Sequence, residues 1–248
     1  MTRPHSKRTR LAPSVQSAEG GAGLDGFTLK LIAIAAMVVD HLGALVFPEA
    51  LWMRVVGRFA MPVFAFLLVE GYHQTRHLGR YLSRLLVFAV VSQPFYHLVF
   101  PHGLNVFFDL LAGALLIWAT DRIRSLWLVS AVVMAAGAAG IFLTLDWWHL
   151  GVWMVFVFHL TRGRPGSTAV VMGALLLVNS GVFALVSART GDPSYGLINL
   201  INLGCILSLP LLNLYNGRRG RDLRYLFYGF YPAHLWLFHF LTQWLGGA

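Results

Sequence analysis

Residues 30–43 read KLIAIAAMVVDHLG. Nine apolar residues run from Leu31 to Val39, Asp40 and His41 stand side by side, and the apolar pattern resumes with LGALVF. The full apolar run, Phe27 to Phe47, is 21 residues. At a rise of about 1.5 Å per residue it can cross the ~30 Å hydrocarbon core of a bilayer. It is longer than a signal-peptide core, and more such runs follow, so it reads as a retained first membrane helix. An ionisable side chain inside such a helix costs about 3 kcal/mol on insertion scales. Asp40 and His41 therefore each need a partner or a chemical role.

The rest of the chain agrees with that reading. Of its 248 residues, 57% are hydrophobic and 12% charged, against about 25% charged in soluble domains. The excess of Lys and Arg (19 against 10 Asp and Glu) lies in short loops, which excludes a nucleic-acid binder. One cysteine, Cys205, excludes an internal disulfide or a cysteine-rich metal site and reads as packing. Residues 1–26 are polar and basic and are expected to form a disordered cytoplasmic tail. Apolar length then predicts an all-α bundle of about nine spans, at 27–47, 51–71, 82–100, 104–120, 125–144, 147–161, 168–188, 195–215 and 225–245.

The loops test the count. Alternate loops carry Arg3, Lys7, Arg8 and Arg10; Arg76, Arg80 and Arg84; Arg122 and Arg124; Arg162 and Arg164; and Arg218, Arg219, Arg221 and Arg224. The intervening loops carry only Arg189. Since Lys and Arg collect in cytoplasmic loops, the N-terminus is expected in the cytoplasm and the C-terminus in the periplasm.

Depth places the intramembrane polar groups. His41 lies about 9 Å and Arg58 about 10 Å from the outer side. Asn105 and Asp109 share a face one turn apart and enter from outside, as do Asn199 and Asn202, while Asp146 and His149 open the sixth span. His234 lies near the midplane of the last span. An Asp40–Arg58 pair between adjacent helices would account for both charges, and reads first as a structural ion pair. Asp40 and His41 are about 100° apart around the helix, so one is expected to face a neighbouring helix and the other a cavity. Arg76, Arg80 and Arg84 read first as orientation determinants. His73, His77, His97 and His102 have no metal spacing, and Glu70 could pair with Arg76 or Arg84. No G-x-S-x-G, H-E-x-x-H, CxxC or Walker A motif occurs, and no pair of discontinuous helices in matching halves is legible.

Five segments, taken in order, carry a resemblance: TLKLIAIAAMVVDHLG (28–43), GRFAMPVFAFLLVEGYHQTR (57–76), YLSRLLVFAVVSQPF (81–95), LNVFFDLLAG (104–113) and RYLFYGFYPAHL (224–235). Together they resemble the TraX family, bacterial membrane proteins associated with N-acetylation of conjugative pilin, over most of the chain after residue 26. That family looks distantly similar to the acyltransferase-three proteins and the lysosomal heparan glucosaminide acetyltransferase, in which a long first helix ends in a histidine that acts in acyl transfer. The resemblance implies a multi-pass inner-membrane acetyltransferase using acetyl-CoA and no metal. His41 would be catalytic, supported by Asp40 and Arg58. Arg76, Arg80, Arg84 and Arg224 would clamp the phosphates of acetyl-CoA, and Asn105, Asp109, Asn202 and His234 would line a polar cavity. The acceptor would lie on the periplasmic side, a pilin amine or a glycan or lipid hydroxyl. Residue chemistry alone leaves a proton-coupled transporter or a non-catalytic pilus-assembly factor open.

Overall fold

A computed structural model describes residues 23–246, without the side chains of 224–226. The tail expected over 1–26 lies, up to residue 22, outside the described residues. The described residues form α1 (Gly26–Leu45), α2 (Leu51–Gly57), α3 (Ala60–Gln74), α4 (Leu78–Val99), α5 (Val106–Thr120), α6 (Leu126–Phe142), α7 (Trp148–Leu160), α8 (Pro165–Thr190), α9 (Pro193–Ile201), α10 (Ser208–Leu212) and α11 (Arg224–Gly246), with a 3-10 stretch Asn202–Leu207 between α9 and α10. They fall into the nine segments read from apolar length, five of them long and apolar enough to cross a membrane. Three of the others, α5, α6 and α7, are shorter apolar helices.

Two segments are broken, which sequence reading did not foresee. The second divides into α2 and α3 at Arg58–Phe59, and the eighth tightens into the 3-10 stretch. Both breaks precede a proline. Pro62 has no N–H to give the Arg58 carbonyl four residues back, and Pro210 has none for Ile206. The freed Arg58 carbonyl instead accepts from Cys205 Sγ at 3.4 Å. Cys205 therefore joins the two breaks as well as filling space.

The ends of the bundle are tied independently of any charge rule. Leu24 pairs with the backbone of Leu214 and Asn216, which sets the start of α1 beside the arginine-rich 216–221 loop. The bidentate Glu70–Arg162 pair joins the ends of α3 and α7 at this same basic end. Neither Arg76 nor Arg84, the partners expected from sequence, holds Glu70. At the opposite end Leu104 bridges to Leu145. The main core gathers Leu29, Met61, Val63, Ile117, Met154 and Leu176 from α1, α3, α5, α7 and α8. α6 and α8 instead turn large apolar side chains outward, among them Trp127, Phe142 and Leu177. A soluble protein would bury these; a bilayer solvates them.

Candidate functional site: two cavities end to end

The last turns of α1 lie hard against α2. A Cβ added at Gly57 would sit 2.1 Å from Asp40 Cβ, and one at Gly43 would sit 2.7 Å from Met53 Cβ. Glycine at both positions lets the backbones close, and this closeness brings charge into reach. Arg54 Nη1 donates to Asp40 Oδ2 at 2.6 Å and to the Asp40 carbonyl at 3.0 Å. The partner expected from sequence, Arg58, stands 4.0 Å from Asp40 Oδ1. The helix break after Gly57 turns Arg58 toward Trp147, whose ring lies 4.8 Å from its guanidinium carbon. Both Arg58 Nε and Asp40 Oδ1 are buried without a hydrogen-bond partner.

His41 takes the other direction around α1, toward α11. Its Nδ1 lies 3.0 Å from His234 Nε2, and the rings stack at 5.1 Å between centroids. His234 Nδ1 lies 3.0 Å from the Phe230 carbonyl. Phe100 and Phe238 flank His41 at 5.5 and 5.9 Å.

Asp40, His41, Arg54 and Arg58 line a cavity of about 300 Å³ toward the end opposite the arginine-rich loops. Its far wall is a chain of polar side chains from α7, α8, α9 and the 3-10 stretch. His149 Nε2–H donates to Asn179 Oδ1 at 2.8 Å, Asn179 donates to Asn199 Oδ1 at 2.6 Å, and Asn202 reaches the same oxygen at 3.5 Å. Asp146, also on the lining, accepts from the Tyr96 hydroxyl at 2.8 Å. Of the polar residues assigned to this space from sequence, Asn202 lines it and His234 stands behind His41. Asn105 and Asp109 do not line it. Asn105 caps α5 through Phe107 N and ties it to α4 through the Ala89 carbonyl and Gln93. Asp109 is fully buried and receives the backbone N–H of Trp147. Sequence reading had missed Arg54 as the direct partner of Asp40, and Asn179 altogether. The latter is a lone amide in the apolar run LLLVNSGVF, and the cost of burying it was the available signal.

A second cavity, of about 500 Å³, opens toward the basic end. Lys30, His77, Arg80, Arg84 and Arg219 lie on its wall with an aromatic surface of Tyr81, Phe107, Phe227, Tyr228 and Tyr231. Arg84 Nε is buried with no hydrogen-bond partner. Arg76 is not on the lining, and the Arg224 side chain lies outside the described residues. The two cavities share Met37, Phe64, Val106 and Tyr231, which form a thin septum between them.

Beside the basic end sits a second stacked histidine pair. His73 Nε2 lies 3.1 Å from His159 Nδ1, with rings 5.2 Å apart, and His159 Nε2 lies 3.2 Å from Asp121 Oδ1. Next to it, Glu70's hydrogen bonds hold the Arg162 guanidinium above its usual pKa.

The comparisons with known proteins can be set against this geometry. A family model described as TraX protein matches residues 25–242. The chain belongs to the TraX family. It is 31% identical over 236 residues to the probable fimbrial assembly protein FimC, serogroup H1, of Dichelobacter nodosus, covering 84% of this chain and 92% of that protein. It is 31% identical over 171 residues to protein TraX of Escherichia coli (strain K12), covering 66% of each. An uncharacterized protein, RP591, of Rickettsia prowazekii is 32% identical over 77 residues, 31% of this chain and 29% of that protein. No solved structure matches the chain. Both cavities of this TraX-family bundle fall inside the matched region.

Proposed function

We propose that this protein is an integral membrane acetyltransferase. It would move the acetyl group of cytoplasmic acetyl-CoA to an acceptor on the opposite side of the membrane, the amino terminus of a pilin subunit. The observation that carries the proposal is the pair of cavities meeting at one septum, His41 in the smaller and cations and aromatic rings in the larger. A diphosphate and a 3′-phosphate fit Lys30, Arg80, Arg84 and Arg219, and adenine fits the aromatic wall. The buried Arg84 Nε has a free donor for such an anion. In this reading the pantetheine arm would cross the septum that Met37 and Tyr231 share, toward His41. The arginine-rich loops favour the cytoplasm for the larger cavity, which opens toward them. The fimbrial-assembly name of the Dichelobacter relative favours a pilin acceptor.

In this reading the acceptor nitrogen bonds to the acetyl carbonyl carbon and the C–S bond breaks. His41 takes the proton from nitrogen and returns it to the departing sulfur. Arg58 Nε, buried 4.0 Å from Asp40 Oδ1 with no hydrogen-bond partner, would polarise the carbonyl oxygen. The Asp40–Arg54 pair holds α1 and α2 in place for both groups.

A transporter reading has one observation in its favour: the breaks at Arg58–Phe59 and Asn202–Leu207 both border the His41 cavity, as broken helices border transporter sites. Inverted inner-membrane vesicles with acetyl-labelled acetyl-CoA separate the two. Transfer of label to protein, lost in His41→Ala, supports the acetyltransferase. Absence of transfer in the wild type with pilin present, together with solute flux, overturns it.

A further inference from the structure

One buried titratable side chain has no part in the reaction as drawn. His234 lines neither cavity and is 5% exposed, so it cannot meet an acceptor there. Each of its ring nitrogens nevertheless has one polar neighbour at 3.0 Å: Nδ1 faces the Phe230 carbonyl, and Nε2 faces His41 Nδ1.

These two contacts decide where the hydrogens are. A carbonyl oxygen only accepts, so His234 Nδ1 carries a hydrogen. In a neutral imidazole the other nitrogen is then an acceptor, and His234 Nε2 accepts from His41. His41 Nδ1 therefore carries a hydrogen and His41 Nε2 holds the lone pair. Exchanging the hydrogens would set the lone pair of His234 Nδ1 against the Phe230 oxygen. The His234 ring cannot easily turn away: Phe230 stacks on it at 4.9 Å, and Tyr231 and Phe238 close it edgewise at 5.3 and 6.1 Å.

We infer that His234 is a positioning residue, which locks His41 into the Nδ1–H tautomer so that Nε2 is the atom available to take a proton. The inference rests on the reading of His41 as the transfer base, and it assigns which nitrogen acts and what sets it. When His41 Nε2 gains a proton, the cation's Nδ1–H donates more strongly to His234, so the same contact also steadies the charge. An orienting partner behind the base is the general logic of side-chain triads, with a backbone carbonyl here in the last place.

The tautomer can be read without any activity. Nitrogen-15 NMR of the full chain, ¹⁵N-labelled at histidine and held in lipid nanodiscs, distinguishes Nδ1–H from Nε2–H imidazole, and the His41 signals are those lost in His41→Ala. The wild type should show Nδ1–H at His41, and His234→Ala should shift it toward Nε2–H. His234→Gln offers an amide oxygen where Nε2 stood and should keep the wild-type form. In the transfer assay, His234→Ala should lower kcat about tenfold or more with the KM for acetyl-CoA unchanged, and His234→Gln should recover most of it. An Nε2–H His41 in the wild type, or a tautomer unmoved by His234→Ala, overturns the inference. So does a tautomer that moves with kcat unaffected. Full transfer by His41→Ala would instead overturn the acetyltransferase role of His41 while leaving the tautomer result standing.

Discussion

The chain holds two stacked histidine pairs of nearly the same shape, and they differ in what stands at the end of each. His41–His234 ends on the Phe230 carbonyl, deep in the bundle. His73–His159 ends on the Asp121 carboxylate beside the basic loops. A carbonyl only receives a hydrogen, so it fixes the order of hydrogens in the first pair. A carboxylate accepts from His159 at the end of the second pair, which ties α3, α5 and α7 together. In the proposed function the same rings serve chemistry in one place and cohesion in the other.

The largest expected effect tests that division. His41→Ala should cut acetyl transfer by roughly 10²–10⁴-fold, while His73→Ala should leave it within about twofold, both followed with labelled acetyl-CoA. Comparable losses in the two variants would abolish the distinction. Next comes the charge beside each pair. The Asp40 side chain is 13% exposed and that of Asp121 41%. Asp40→Ala strands Arg54 and Arg58 in the interior and should cost about 3–5 kcal/mol. Asp121→Ala should cost at most about 1 kcal/mol, because water screens that carboxylate. Thermal unfolding in one detergent, run on both variants, checks the order.

A backbone test sharpens the same contrast. Gly57→Ala would drive a methyl into Asp40 and should destabilise by about 1–3 kcal/mol with loss of transfer. At Gly173 of α8 a Cβ would meet nothing within 4 Å, so Gly173→Ala is the neutral control. The smallest effect belongs to the arginines. Arg84→Gln should raise the KM for acetyl-CoA about tenfold at unchanged kcat, through loss of one charge-assisted hydrogen bond. Arg162→Gln, whose guanidinium already belongs to Glu70, should leave KM where it was.

His41 and His234 were each singled out in the sequence, though not as a pair, while His159 was not, and the reason is cost. An acid and an imidazole within an apolar run of 21 residues stand out, as Asp40 and His41 did. His73 lies in a loop-like stretch where histidine costs nothing, and its partner His159 is 86 residues away. The nine segments and their alternating basic loops were legible because bilayer thickness fixes length and because charge is asymmetric. The two breaks were signalled by Pro62 and Pro210, but apolar length carries no information about backbone hydrogen bonds. The Asp40–Arg58 pair expected from sequence is present at 4.0 Å, but Arg54 comes closer at 2.6 Å, and apolar length carries no information about which arginine a helix break brings nearer. Asn105 and Asp109 had the depth expected of cavity residues; depth does not tell which face of α5 meets α4 and α7.

The septum of Met37, Phe64, Val106 and Tyr231 has one more consequence. An elementary charge moved across a membrane potential of 100 mV changes energy by about 2.3 kcal/mol, so a wetted path through a membrane-spanning bundle would leak charge down any such potential. Two aromatic rings, a methionine and a valine at the waist make an insulator. The molecule can hold water and charge on both of its sides and still behave, electrically, as though no hole had been made.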